Sequence, residues 1–123
     1  MAGAPPEKSY HISREADGTV RCEVHAAGGV STLHHVVVHS PTGFEIGYGG
    51  SGPADLGLSI LADYFGERPE APDRPFQLRP GRWRCWWHHQ PFKWHFLAPM
   101  PRAGGVITAT DIAGWLATEE PEA

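Results

Sequence analysis

A glycine-rich string at residues 47–53 constrains the fold of this chain more than any other feature. These residues read GYGGSGP, and a regular strand or helix rarely continues through so many glycines, because ordering glycine costs the most backbone entropy. Residues 44–48 alternate apolar and polar side chains before the string, whereas residues 53–65 place apolar side chains at helical spacing after it. The proline suits a first helical turn. The string therefore predicts a tight connection from a strand into a helix.

Four short strands are predicted in the first part of the chain. Ser9–Arg14 and Val20–Ala26 flank an Asp-Gly turn and predict a hairpin. Residues 32–39 are rich in β-branched side chains and predict a third strand. The alternation at residues 44–48 predicts the fourth.

The second part of the chain predicts another hairpin and a final helix. Residues 82–98 alternate along two runs separated by a histidine- and proline-containing turn. The helix at residues 109–117 begins with Thr108 and Asp111 at capping-box spacing. The whole pattern predicts an α+β fold, an antiparallel β-sheet of about five to six strands with two helices packed on one face. The predicted core residues of the helices are Leu56, Ile60, Leu61, Ile112, Trp115 and Leu116.

Length and hydropathy predict one cytoplasmic domain. The chain has 123 residues, close to the commonest domain size. We expect a flexible N-terminus at 1–8, a domain at 9–118 and an acidic tail at 119–123. No apolar run approaches the roughly 20 residues that span a bilayer, and the first residues lack a signal-peptide layout. The distant Cys22 and Cys85 predict two buried thiols.

Charge is divided unevenly along the chain. Residues 74–102 contain six basic residues, no acidic residue and four of the five tryptophans. The remainder holds the other four basic residues and all 14 acids, so the net charge of −4 conceals a basic, aromatic segment. Arginine and tryptophan are enriched at binding hot spots.

This segment predicts a non-enzymatic binding function on the second hairpin. Trp86 would lie on its exposed face, opposite Trp83 and Trp87. The predicted partner-binding residues are Arg82, Arg84, Trp86, His88, His89 and Lys93. A protein with an acidic surface is favoured over a nucleic acid, because the acidic half of the chain would repel phosphates. The oligomeric state is left open.

The glycine-rich string offers an alternative function of another class. Free N–H groups at Gly49, Gly50, Ser51 and Gly52, before a helix, are the layout of an anion site for a nucleotide or other small ligand, including an enzyme's substrate. The string is not a P-loop, however, and it lacks a lysine of its own. The other interpretation is a structural turn that needs glycine geometry. A ligand site requires a polar concavity at the loop, whereas a binding hairpin requires exposed tryptophan and arginine.

The histidines do not predict a metal or cofactor site. His35 and His39 would lie about 13 Å apart on a strand, too far to share one ion. Glu45 offers a nearby carboxylate, but no HExxH or HxH spacing occurs in the sequence. We therefore expect neither a metal nor a cofactor.

Residues 43–56 read GFEIGYGGSGPADL and resemble a family of small bacterial and phage proteins of unknown function. Members of that family carry a core similar to GFEWGYGGSGPAQL; here Ile46 replaces a tryptophan and Asp55 a glutamine. Weaker matches continue to the last helix. The resemblance implies an α+β domain met in phage or mobile-element contexts, and it implies no activity. Inhibition of a host defence complex is one concrete form of the predicted binding function.

Overall fold

The computed structural model describes residues 5, 7–69 and 83–119. In this part of the chain, four strands and three helices form an α+β fold. The strands are β1 (Ser9–Arg14), β2 (Val20–Ala26), β3 (Gly29–Thr32) and β4 (Gly104–Thr108). The helices are α1 (Ser51–Phe65), α2 (Arg84–Phe92), which continues into a π-helical segment (Lys93–Leu97), and α3 (Ala109–Glu119). None of these helices is long and apolar enough to cross a membrane.

The strands form one antiparallel sheet in the order β3-β2-β1-β4. The predicted β1–β2 hairpin is confirmed, with Ser9 opposite His25 and Arg14 opposite Val20. Gly18 at its turn has φ +93°, which glycine adopts at no steric cost. Strand β4 pairs with the other side of β1 and leads directly into α3. The sequence pattern does not predict β4, because the two glycines of this strand weaken its alternation.

Helix α1 forms the centre of the core. Its side chains are buried on nearly every face, as expected for a helix enclosed by other elements. On one side, the Tyr10 hydroxyl of β1 donates a 2.6 Å hydrogen bond to Asp63. On another side, a Cβ at Gly57 would lie 3.2 Å from the ring of Phe92 in α2. All six predicted core residues of the helices are buried.

The structure corrects the second half of the predicted sheet. The predicted strand at 32–39 is wrong, since β3 ends at Thr32 and the chain then continues irregularly. Near the predicted fourth strand, only an isolated bridge joins Phe44 to Val20. Residues 36–40 bond to Ser59 and Asp55 of α1, and Gly47 bonds to Leu97 of the π-helical segment. These tertiary contacts, rather than β-propensity, decide the conformation of the two segments.

The predicted second hairpin is also wrong, because α2 and the π-helical segment occupy its place. The buried residues of α2 are Cys85, His89 and Phe92, which lie four and three residues apart on one helical face. The sequence predicts a hairpin here because aromatic residues at alternating positions are typical of strands and a proline such as Pro91 is typical of a turn. The ring of Pro91 lies exposed within the last turn of α2.

The beginning of α2 is fixed by a residue distant in sequence. The Glu67 carboxylate accepts hydrogen bonds from the backbone N–H groups of Arg84 (3.0 Å) and Cys85 (2.9 Å). The first backbone N–H groups of a helix have no acceptor within the helix, and a carboxylate at this position accepts their hydrogen bonds and interacts favourably with the helix dipole. Helix α3, in contrast, has the local capping box that the sequence predicts between Thr108 and Asp111.

We predict that Trp115→Ala lowers the free energy of unfolding by about 3–5 kcal/mol, since truncating a buried aromatic residue leaves a cavity. Its ring contacts His88, Phe92, His95 and Phe96, so it joins α3 to α2 and the π-helical segment. Urea unfolding followed by circular dichroism measures the loss. The exposed Val30→Ala variant is the control, and a Trp115→Ala protein as stable as the parent would contradict this packing.

Candidate functional site

A buried carboxylate organises the chain beside the candidate site. The Asp55 side chain, at the fifth position of α1, is fully buried and accepts hydrogen bonds from the backbone N–H groups of Val38, His39 and Ser40. The His35 Nε2 lies 2.8 Å from its Oδ2. Burial alone would raise the pKa of Asp55, but the hydrogen bonds from His35 and these backbone groups together outweigh burial and lower it. Asp55 therefore remains charged and holds the irregular segment 35–40 against α1.

A histidine pair joins the segment 35–40 to α2. The Nε2 atoms of His39 and His89 lie 3.0 Å apart, and the Nδ1 of His89 lies 2.6 Å from the Trp86 carbonyl oxygen. His89 thus donates to that carbonyl through Nδ1–H and accepts from His39 through Nε2. Burial, ahead of all other causes, lowers the pKa of His89 to about 4. The imidazole is neutral near pH 7.

The glycine-rich loop, residues 47–52, is attached to the π-helical segment. The Gly47 N–H donates to the Leu97 carbonyl oxygen (2.9 Å), and the Lys93 Nζ donates to the Gly49 carbonyl oxygen (3.1 Å). The Trp94 ring lies directly over Gly49, where a Cβ would overlap it. The structure therefore places the two regions that the sequence offered as alternative sites side by side.

Two positions of this loop require glycine for geometric reasons. Gly47 has φ +87°, in the left-handed region that side chains rarely adopt. A Cβ at Gly52 would lie 2.6 Å from the Glu45 Cβ and 3.0 Å from the Glu45 backbone nitrogen. These contacts favour the interpretation of the loop as a structural turn, and they leave room for a ligand role of its N–H groups.

A groove beside the glycine-rich loop provides the polar concavity that a ligand site there requires. It encloses about 380 Å³ and is lined largely by polar groups, among them Ser40, Thr42, Glu45 and Ser51. The Tyr48 ring forms part of its wall and is itself half exposed.

The most exposed large aromatic side chains lie on α2 and the π-helical segment. Trp87 is 63% exposed and Trp94 is 60% exposed. They are seven residues apart, so about two helical turns place them on roughly the same side. Gln90 and Pro91, which lie between them, are exposed as well. We call the exposed side chains of Trp87, Pro91 and Trp94 the tryptophan surface.

The predicted partner-binding residues do not share one exposed face. Arg84 is exposed, with its guanidinium 4.2 Å from the centre of the Phe65 ring. Trp86, predicted to be exposed, is half-buried against the core and stacks near His39. His88 is also half-buried, whereas His89 and Lys93 are buried; Arg82 lies outside the described residues.

The helical conformation explains this rearrangement. On a strand Trp86 and Trp87 would point to opposite faces, whereas on α2 Trp86 turns towards the core and Trp87 towards solvent. Sequence reasoning therefore missed Trp87 and Trp94 as surface candidates. The sequence feature that indicates this surface is the seven-residue spacing of the two tryptophans, which corresponds to about two turns of a helix.

Within the described ranges, no three histidine, cysteine, aspartate or glutamate side chains converge in an arrangement that could hold a metal ion. His35 pairs with Asp55, and His39 pairs with His89. The expectation of a metal-free protein remains a prediction.

Comparison with protein families gives a match to a family of unknown function. The model of a family described as "Family of unknown function (DUF6166)" matches residues 10–77, more than half of the chain. The match spans β1 through α1 and includes the glycine-rich loop. Neither the curated proteins nor the solved structures gave a match.

We predict that Gly52→Ala lowers the free energy of unfolding by about 1–3 kcal/mol, because its Cβ would overlap Glu45 at the backbone. Gly50→Ala is the matched comparison. There the three atoms nearest to the Cβ belong to the half-exposed Tyr48 ring, which can turn aside, so we expect a loss below about 1 kcal/mol. Chemical denaturation measures both variants. Equal losses would contradict the steric explanation.

We predict that stability falls by about 2 kcal/mol between pH 7.5 and pH 5 because of His89. Its pKa is about 4 in the folded protein, against 6.5 for an unperturbed histidine, so the unfolded chain takes up the proton first as the pH falls. Urea midpoints across this range measure the slope. His89→Leu should flatten the curve, whereas the control His34→Gln, at an exposed position, should retain it. A steep curve in His89→Leu would contradict the assignment.

Proposed function

This chain belongs to the DUF6166 family, whose function is unknown, and we propose that it is a non-enzymatic binding protein. The partner is a protein with an acidic surface. It contacts the tryptophan surface of α2 and the π-helical segment, which replaces the hairpin that the sequence predicted.

The observation that carries this proposal is the exposure of Trp87 and Trp94. Two large aromatic rings on one side of a helix leave most of their apolar surface in water, and exposed apolar patches of this kind mark interaction sites. Covering a tryptophan removes about 150–250 Å² of surface from water, and tryptophan is among the residues that contribute most to protein interfaces. The exposed Pro91 lies between the rings and extends the apolar area.

Charge supports an acidic partner. Residues 74–102 contain no aspartate or glutamate, so the tryptophan surface lies in a segment without negative charge. Arg84 lies on the first turn of α2, three residues before Trp87, and the residue is exposed. An acidic surface on the partner would be attracted to this region and would associate faster with it.

Burial of basic groups favours a protein over a nucleic acid. Nucleic-acid affinity depends on cations that reach phosphates. Lys93 is buried and His89 is neutral, so the helix presents fewer positive charges than its sequence indicates. We include in the same proposal a location in the cytoplasm and a phage or mobile-element origin. We also include the inhibition of a host defence complex, which the sequence resemblance supports.

The test compares Trp87→Ala with wild type as immobilised bait in lysate treated with nuclease, followed by affinity measurement with the protein captured. Trp87 contacts solvent over most of its surface, so the variant should melt like the parent. We expect its Kd to rise about 10–100-fold, the cost of losing an interface hot spot. Val30→Ala, an exposed apolar residue on β3, is the control and should bind as wild type does.

Two outcomes would contradict the proposal. Equal affinity of Trp87→Ala and wild type would move the binding surface elsewhere. A partner that is captured from untreated lysate but not from nuclease-treated lysate, with an affinity that declines steeply with salt, would identify a nucleic acid instead.

A further inference from the structure

Lys93 is a buried cation whose bonding capacity is not filled. The residue is only 6% exposed, and burial lowers the pKa of its amine. The ammonium carries three donors, but the Gly49 carbonyl oxygen, 3.1 Å away, is its one acceptor among the described residues. The Trp94 ring, whose centre lies 4.6 Å from Nζ, covers it. Within the described ranges no carboxylate forms an ion pair with Lys93, so the Gly49 carbonyl and the Trp94 ring are the groups seen there to stabilise its charge.

The loop that Lys93 contacts has unfilled donors as well. In the described part of the chain, the backbone N–H groups of residues 48–52 find no acceptor. Residues 51 and 52 begin α1, whose N-cap, Gly50, provides no side-chain hydrogen bond. A helix of 15 residues carries partial positive charge at this end. Lys93 is a second and independent source of positive charge at the same loop.

The nearby carboxylates do not compensate these donors. Asp55 already accepts bonds from His35 and the backbone of residues 38–40. Glu45 is held by Arg14 at 3.1 Å, and that hydrogen bond, ahead of the other causes, lowers the pKa of Glu45. Both charges are thus engaged with other partners.

We propose that the glycine-rich loop binds a small oxyanion, the phosphate or carboxylate group of a small molecule, with Lys93 as its counter-charge. The site goes beyond the proposed protein-binding function. The loop lacks a lysine in sequence, and the π-helical segment supplies one in space. The Trp94 ring covers the site and must turn aside for a ligand to reach the ammonium; its high exposure leaves room for this movement.

The test follows backbone amide signals by ¹H–¹⁵N NMR during titration with inorganic phosphate, against sodium chloride at equal ionic strength. We expect the amides of residues 49–52 to shift and to saturate. In Lys93→Met, which keeps the length of the side chain without its charge, the Kd should rise at least about tenfold. Lys93→Arg should retain saturable binding. Lys8→Met, which removes a cation paired with Asp63 instead, is the matched control and should bind as wild type does.

Acetate and adenosine monophosphate are titrated separately to distinguish a carboxylate from a phosphate source. Shifts that do not saturate with any of the three anions, or that are equal in Lys93→Met and wild type, would overturn the proposal. Melting curves establish that each variant is folded. Trp87→Ala should keep the phosphate response, so failure of this site and failure of the tryptophan surface are distinguishable.

Discussion

The buried charge of Asp55 is the interaction on which the rest of the structure depends. An isolated carboxylate in the core would be prohibitively costly, and only a full set of donors makes it tolerable. The backbone N–H groups of residues 38–40 and the His35 ring supply that set. The same hydrogen bonds hold the segment 35–40, which belongs to no strand, against α1. The network joins residues 35–40, which precede the glycine-rich loop, to Asp55, three residues after it, and so brings the two ends of this region together.

The histidine pair extends this constraint to α2. The backbone N–H of His39 bonds to Asp55 while its ring contacts His89, so the segment 35–40 helps to position α2. From there the π-helical segment carries Lys93 and Trp94 onto Gly49. Hydrogen bonds thus join Asp55 to α2 through His39 and His89, and a separate one joins Lys93 to the glycine-rich loop.

This arrangement changes the relation between the two candidate functions. The sequence offered them as alternatives on separate elements, a basic aromatic hairpin and an anion-binding loop. In the structure Trp94 belongs to both, because its exposed face contributes to the tryptophan surface while its ring covers Gly49 and Lys93. A ligand at the loop that displaced this ring would also alter the surface presented to a protein partner.

The sequence by itself determined the features that rest on local chemistry. The β1–β2 hairpin follows from alternation and an Asp-Gly turn, and α3 begins where Thr108 and Asp111 can cap it. Helix α1 follows from its periodic apolar residues after the glycines. Each of these signals lies within a few residues of the element that it specifies.

Only the tertiary structure decided the conformation of residues 83–97 and therefore the candidate surface. Tryptophan, phenylalanine and histidine at alternating positions suit a strand as well as a helix, and local propensity cannot choose between them. The choice depends on contacts from distant residues: Glu67 caps α2, His39 bonds to His89, and Gly57 allows the close approach of Phe92. The burial of Trp86 and the exposure of Trp87 follow from that choice, because helix and strand point neighbouring side chains in different directions.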